Sequence, residues 1–344
     1  MFRRRTMFCQ KAMFCRWTVL EQWAGRYPLL MLILRRLLAG VAMVAVVSVL
    51  IFAGIQLLPG NAATAILGQT ATPEAVRALN AQLGLDQPAV SRYLNWLWGM
   101  VGGDFGQSFT SRQAIAPVLA WRLENTLFLA GCTAVVAVPL ALLIGFLSVR
   151  YQGSWLDRLL NLFTRVAVAL PEFFSGYLLI LIFSITLFWL PSNSNVSDHM
   201  PLGAHLTAIA LPCLTLVLAV LGHMSNMTRA ALIGAQNAAY VDTALLKGMS
   251  PSVILLRHVL PNAWGPIINV IVLNLAYLMV GVVIVESVFV YPGLGQYMVD
   301  SISKRDMPVI QGCALVLATI YILLNLLADV VSLMANPRLR HARR

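Results

Sequence analysis

Charged residues are scarce. Asp, Glu, Lys and Arg together make up 11% of the 344 residues, against about 25% in an ordinary soluble domain. A soluble globular enzyme is therefore excluded, because its shell would lack ionic groups. Acidic residues are the scarcer sign, 13 against 24 basic. Cysteine is also sparse: Cys9, Cys15, Cys132, Cys213 and Cys313 form no CxxC pair, which argues against a disulfide framework and a zinc site. His199, His205 and His223 stand at spacings that make no metal-ligand set. There is no G-x-x-x-x-G-K-[ST] segment to cradle nucleotide phosphates.

What is abundant is apolar sequence, 59% of the chain, with a mean hydropathy of +0.80. The fold class this predicts is an all-α membrane protein embedded in a lipid bilayer. Six apolar runs can be drawn: 37–58, 125–148, 161–190 (interrupted by Arg165 and Pro171-Glu172), 200–222, 264–285 and 307–328. Each is long enough at ~1.5 Å per residue to cross a ~30 Å hydrocarbon layer. With these spans, 18 Lys and Arg fall on one side and six on the other, so the positive-inside rule places both termini in the cytoplasm. The same rule accounts for the formal charge of +11 without invoking nucleic acid.

Between the runs the chain divides further. Residues 1–36 are basic, and 1–30 read as an optional extension, since Met31 would also make a natural start. The 59–123 segment reads as an extracytoplasmic cap with two helices. One is capped by Thr72 with Pro73 in its first turn and stopped by Gly84. The other carries Val90, Tyr93, Leu94, Leu97 and Val101 on one side, with Trp96 and Trp98 nearby. Residues 124–340 form the core, and 341–344 a basic tail.

The 225–263 segment differs from the other connections. Its alanine-rich first half is helix-compatible up to Gly248, and Ser250-Pro251 can cap and open a second helix. By shape it is either a plain connector or a docking element. A DNA-reading helix-turn-helix is disfavoured by its few basic residues and its tethering at both ends.

The spacing within it is more specific. Asp242-Thr243-Ala244, then Gly248 after three residues, His258 after nine more, and Leu260-Pro261 resemble the EAA loop of ABC-importer permeases. Asp, Thr and His replace the usual Glu, Ala and Ile. Tyr240-Val-Asp-Thr-Ala-Leu-Leu-Lys-Gly and Leu256-Arg-His-Val-Leu are similar to the dipeptide/oligopeptide/nickel branch of that family. Its B-type subunit is resembled by Leu58-Pro-Gly, Leu83-Gly-Leu-Asp-Gln-Pro, Gly103-Asp-Phe-Gly-Gln-Ser, Glu124-Asn-Thr-Leu and Glu286-Ser-Val-Phe-Val-Tyr-Pro-Gly-Leu-Gly-Gln. Arg305-Asp-Met-Pro-Val, Asn325-Leu-Leu-Ala-Asp and Asn336-Pro-Arg-Leu-Arg continue the likeness.

The resemblance implies a type I ABC-importer permease fold in the bacterial inner membrane. It also implies a second homologous permease subunit, two ATPase subunits and an extracytoplasmic substrate-binding protein as partners. The chain itself would need no cofactor. Short peptides are the first expected cargo, with nickel chelates or other small solutes as the alternative. Tyr240, Asp242, Thr243, Ala244, Gly248, Leu260 and Pro261 would form the ATPase contact, with Ala244 leaving a shallow surface on which a partner closes.

Polar residues inside spans are the other candidates, because they are costly in lipid. Glu172 follows Pro171, where a helix can kink, and either lines the path or pairs with another helix. Asn269, Asn274 and Tyr277 read as interhelical hydrogen-bonders or pathway residues. Glu286 and Asp329 stand at span ends, as solvated or helix-pairing carboxylates. A stand-alone secondary transporter would show inverted repeats, and an intramembrane aspartyl protease a second aspartate for Asp104. Neither pattern is seen.

Overall fold

A computed structural model describes residues 28–57, 62–197 and 200–335. Residues 1–27 of the expected 1–30 extension, Leu58-Pro-Gly, His199 and the tail from Asn336 lie outside these residues. Charge-free runs in lipid must satisfy their backbone groups internally, and a helix does so within one segment. In chain order the helices are α1 (Pro28–Leu57), α2 (Ala62–Leu67), α3 (Pro73–Gln82), α4 (Ala89–Val101), α5 (Ile115–Arg150), α6 (Trp155–Ala169) and α7 (Glu172–Leu179). They continue with α8 (Leu202–Ala208), α9 (Ala210–Gln236), α10 (Ala239–Leu246), α11 (Pro251–Ile254), α12 (Leu260–Val288), α13 (Leu294–Lys304) and α14 (Met307–Ala335). A π turn, Ile180–Thr186, extends α7, and another, Leu255–Val259, joins α11 to α12. Extended pairing among the described residues is one bridge, Gln107 to Ala114.

Five stretches are long and apolar enough to cross a membrane: Ile33–Leu57, Ile115–Arg150, Ala210–Gln236, Pro251–Val288 and Met307–Ser332. The run expected at 161–190 is not one helix. It is α6 and the α7 segment, bent by 106°, and makes a sixth span only if the pair counts as one. The break has a local cause: Pro171 pushes Leu170 into the extended region (φ −83°, ψ 124°) and becomes the cap of α7.

Other boundaries move as well: α1 starts at Pro28 instead of 37, and α14 runs to Ala335 instead of 328. The fourth run was expected to end at Gly222, but α9 continues to Gln236, well into the 225–263 segment. Ser225, Thr228 and Arg229 interrupt the hydropathy without interrupting the helix, since they face protein: Ser225 and Thr228 are buried, and Arg229 is held by Ser148 and Asp157. Likewise α5 begins at Ile115, because Arg122 and Glu124 end the apolar run and not the helix.

The core is built around α9, which packs against α5, α6 and α12, while α1 lies along α14. At the α6–α9 crossing a side chain on Gly222 would meet the Thr164 carbonyl at 2.7 Å and Val168 at 2.7 Å. Arg36 of α1 pairs with Asp329 of α14, so this span-end carboxylate joins two helices.

The α3 start follows the sequence reading: the Thr72 hydroxyl accepts from the Ala75 amide at 3.2 Å, with Pro73 in the first turn. Gly84 has φ 66° just past the helix. Helix α4 divides its apolar residues between two faces. Tyr93 and Trp96 pack on Phe52 of α1 at ring distances of 5.4 and 6.1 Å, and Tyr93 Oη lies 2.9 Å from Ser48 Oγ. Val90, Leu94, Trp98 and Val101 are exposed.

Candidate functional site

The α10–α11 module sits between the two long helices α9 and α12. Asn237 ends α9, and Tyr240 ties the next helix back to it through a 3.1 Å bond from its hydroxyl to the Ala235 carbonyl. Helix α10 closes on Gly248, whose φ of 76° is the left-handed turn that favours glycine. There the Gly248 amide donates to Leu245 at 2.9 Å and the Met249 amide to Ala244 at 3.2 Å. Pro251 opens α11, but the Ser250 hydroxyl expected to cap it makes no capping bond.

The module has an inside and an outside. Val241 and Ala244 are buried against Val149, Leu232, Ile254, Leu255, Val259, Ala263 and Ile267, and Leu260 packs at the edge of the same cluster. Ala244 was expected to offer a surface to a partner. The structure corrects this, since α10 turns it into the chain's own core, where only a small side chain fits. The outer face carries Tyr240, Asp242, Thr243, Leu245 and Leu246, and Leu246 is 89% exposed. Pro261 is exposed at the start of α12. Leu245 and Leu246, also exposed, fall between the motif positions. The signal was available in two consecutive leucines next to a glycine turn, which α10 must split between faces or leave outside.

At the opposite end of α12, Glu286 was expected near water. It is instead fully buried, because the chain after α12 folds back across it. Its carboxylate accepts from the Thr126 hydroxyl of α5 at 2.6 Å and from the Gly295 and Gln296 amides opening α13 at 2.7 and 3.2 Å. Gly293 leaves the space that the carboxylate occupies, since a Cβ there would overlap it, while a Cβ on Gly295 would run into the Val283 backbone at 2.5 Å. Thr126 Oγ1 also accepts from the Leu294 amide at 2.8 Å. Around this centre Asn125 donates to the Pro292 carbonyl (3.0 Å), Tyr291 to the Asn125 carbonyl (2.9 Å) and Arg122 to Gln296 Oε1 (2.9 Å). Burial pushes the Tyr291 phenol upward, keeping it a neutral donor.

A second lock lies nearby in sequence. The buried Asp306 carboxylate, between α13 and α14, accepts from the Ser108 and Thr110 hydroxyls, both at 2.5 Å, and from the Phe109 amide at 3.0 Å.

The remaining candidates do not form one cluster. Glu172 is half-buried and its carboxylate leans on Gly281 of α12. Tyr277 is exposed, with its ring 6.4 Å from that of His223 on α9. Asn269 is half-buried on α12. Asn274 is buried and donates to the Val270 carbonyl one turn back (2.8 Å), so the interhelical bond expected of it is replaced by one within its own helix. Of the three histidines, His205 stacks on Phe128 at 4.5 Å. Among the described residues no three His, Cys, Asp or Glu gather as metal ligands.

Comparison with known proteins gives this geometry its context. Residues 137–341 match the family described as "Binding-protein-dependent transport system inner membrane component", and residues 29–130 match the N-terminal domain of such membrane components. A probable peptide ABC transporter permease protein of Sinorhizobium fredii is 34% identical over 309 residues, covering 90% of this chain and 99% of the relative. The glutathione transport system permease protein of Escherichia coli K12 is 36% identical over 310 residues, covering 90% and 98%. With one family profile matching more than half of the chain and relatives aligned nearly end to end, the protein belongs to the binding-protein-dependent transport system inner membrane components, multi-pass permeases rather than enzymes.

Proposed function

We propose that this permease forms half of the translocation path of an ATP-driven importer of short peptides. In this reading the bent α6–α7 pair is one span, giving six, with both termini and the α10–α11 module in the cytoplasm. The α2–α4 region is then the outer cap. The path is completed by a second homologous permease, with two ATPase subunits beneath and a binding protein outside. The basic residues concentrated on one side support the orientation. The relatives named for peptides and for glutathione, itself a tripeptide, support the cargo.

The observation that carries the coupling is the exposure of Leu245 and Leu246 beside the Gly248 turn. Two adjacent large apolar side chains left uncovered beside Asp242 and Lys247, on an element this reading places in the cytoplasm, support a protein contact. Tyr240, Asp242, Thr243 and Lys247 flank that contact in sequence, Gly248 sets its turn, Ala244 and Leu260 support it from within, and Pro261, exposed at the start of α12, extends the same docking element.

The test is Leu246→Glu in the assembled complex. Membrane levels should match the unmodified protein, while copurified ATPase subunits and uptake of a labelled tripeptide both fall about tenfold or more. Full copurification and uptake would make the module a mere connector. Parallel uptake of glutathione and of a nickel chelate by the unmodified complex decides the cargo, and nickel uptake without peptide uptake would overturn the peptide reading.

A further inference from the structure

We propose that Arg158, Arg165 and Arg229 form a carboxylate-binding site at the inner mouth of the path, drawing the acidic end of a peptide through; this rests on the importer reading above. Two adjoining cavities of about 570 and 400 Å³ share Asn161, Arg165 and Arg229. The larger is also lined by Asn226 and Asn237, the smaller by Arg158. Guanidinium groups offer the forked donors that a carboxylate accepts, and the Asn226 and Asn237 amides can complete such a site without adding charge, the Asn161 amide being already bonded to Asp157.

One arginine is already fixed. Arg229 donates from Nε to Ser148 Oγ at 2.9 Å and faces the Asp157 carboxylate at 3.4 Å. Asp157 is itself held by Ser148 at 2.5 Å, the Gly153 amide at 3.0 Å and Asn161 at 2.6 Å. Asp157 and Arg229 therefore cancel, while Arg158 and Arg165 are exposed and leave the cavities with a surplus of positive charge.

The positive-inside rule explains arginines near a membrane boundary, but it does not explain amides gathered with them or the row that continues along the same helices. One turn up α9 from Asn226 is His223, beside Tyr277, and one turn further along α12 Glu172 lies on Gly281. Such a row is costly against lipid and ordinary along water. It places the arginines in a wet path rather than against a phospholipid, with Glu172 at the opposite end of the row.

The test introduces a thiol into the larger cavity by Ala230→Cys and compares its reaction with an anionic and a cationic thiosulfonate, using the chain without that cysteine as blank. The complex is in proteoliposomes of neutral lipid, with and without phosphatidylglycerol. We expect the anionic reagent to be favoured, and Arg158→Gln with Arg165→Gln to lower the anionic-to-cationic rate ratio about fivefold or more. An unchanged ratio would overturn the site, as would failure of both reagents to react, which would put the face in lipid. Loss of the anionic preference on adding phosphatidylglycerol would assign the arginines to a lipid phosphate instead.

A second arm measures turnover of a tripeptide and of its C-terminal amide at saturating loaded binding protein. The double variant should slow the free acid about fivefold relative to the amide, and equal slowing would sink the proposal. If the unmodified complex carries neither, the peptide reading fails, while the reagent ratio still decides the site.

Discussion

Thr126 and Glu286 stand 160 positions apart and meet at 2.6 Å, the threonine hydroxyl donating to a carboxylate with no solvent exposure. The contact joins the two stretches Glu124-Asn-Thr-Leu and Glu286-to-Gln296, and it fastens α5, the end of α12 and the start of α13 into one unit.

That unit should be cooperative. Glu286→Ala strands the Gly295 and Gln296 amides, at about 1–3 kcal/mol for each buried donor left unpaired. Thr126→Ala should cost less, because the carboxylate keeps its two amide partners and only the Leu294 amide is stranded. Thermal unfolding of the purified chain should show both losses, and the double variant should fall short of their sum by about 1 kcal/mol. Strict additivity would mean that the two residues act separately.

Gly222 and Gly234 lie on the same helix and should behave oppositely. A methyl group at Gly222 runs into the Thr164 carbonyl and Val168, whereas at Gly234 nothing stands within 4 Å. Gly222→Ala is expected to lose about 1–3 kcal/mol through forced separation of α6 and α9. Gly234→Ala should be neutral or slightly stabilising. Equal midpoints for the two variants in thermal unfolding would contradict the close crossing.

The two small residues of the α10–α11 module separate packing from docking. Ala244→Trp must overfill the cluster formed with Val241, Ile254 and Val259, so its thermal midpoint and its membrane level should both drop. Gly248→Leu meets open space but keeps an unfavourable φ of 76°, at a cost of about 1–2 kcal/mol confined to the turn. Its membrane level should stay near that of the unmodified protein while substrate-stimulated ATP hydrolysis falls. Normal hydrolysis in Gly248→Leu would remove the turn from coupling.

Asp306 is the anchor of the loop that carries Ser108, Phe109 and Thr110. Without it, the exposed Arg112, at φ 61°, should be reached by protease through local opening. Trypsin cleavage after Arg112 in detergent-purified Asp306→Ala should be about tenfold faster than in the unmodified chain. An unchanged cleavage rate would show that the loop is held by other contacts.

The contrast between Gly248 and Ala244 shows how far local sequence reaches. A glycine after a helical run carries its own conformational argument, and the turn stands where that argument puts it. Ala244 carries none, since a small residue suits a docking surface and a tight core equally well. Which it serves depends on the rotation of α10 against α11 and α12. Pro171 is similar: the break follows from its ring and missing N–H, but an angle of 106° comes from α7 packing against α9 and α12.

Composition and periodicity by themselves determined that this chain is a helical, multi-pass membrane protein, because hydropathy and backbone satisfaction in lipid are properties of contiguous residues. The family was legible for a related reason, its motifs being short stretches in a fixed order. Only the tertiary structure decided what those stretches do. It buried Glu286 by folding Tyr291-Pro-Gly-Leu-Gly back over it, turned Asn274 onto its own helix, and carried α9 past its polar residues by giving Ser225, Thr228 and Arg229 protein neighbours. The Asn274 bond is local, but the burial of Glu286 against Thr126 and the hold of Ser148 and Asp157 on Arg229 rest on partners far away in the chain, so no local window contains their reason.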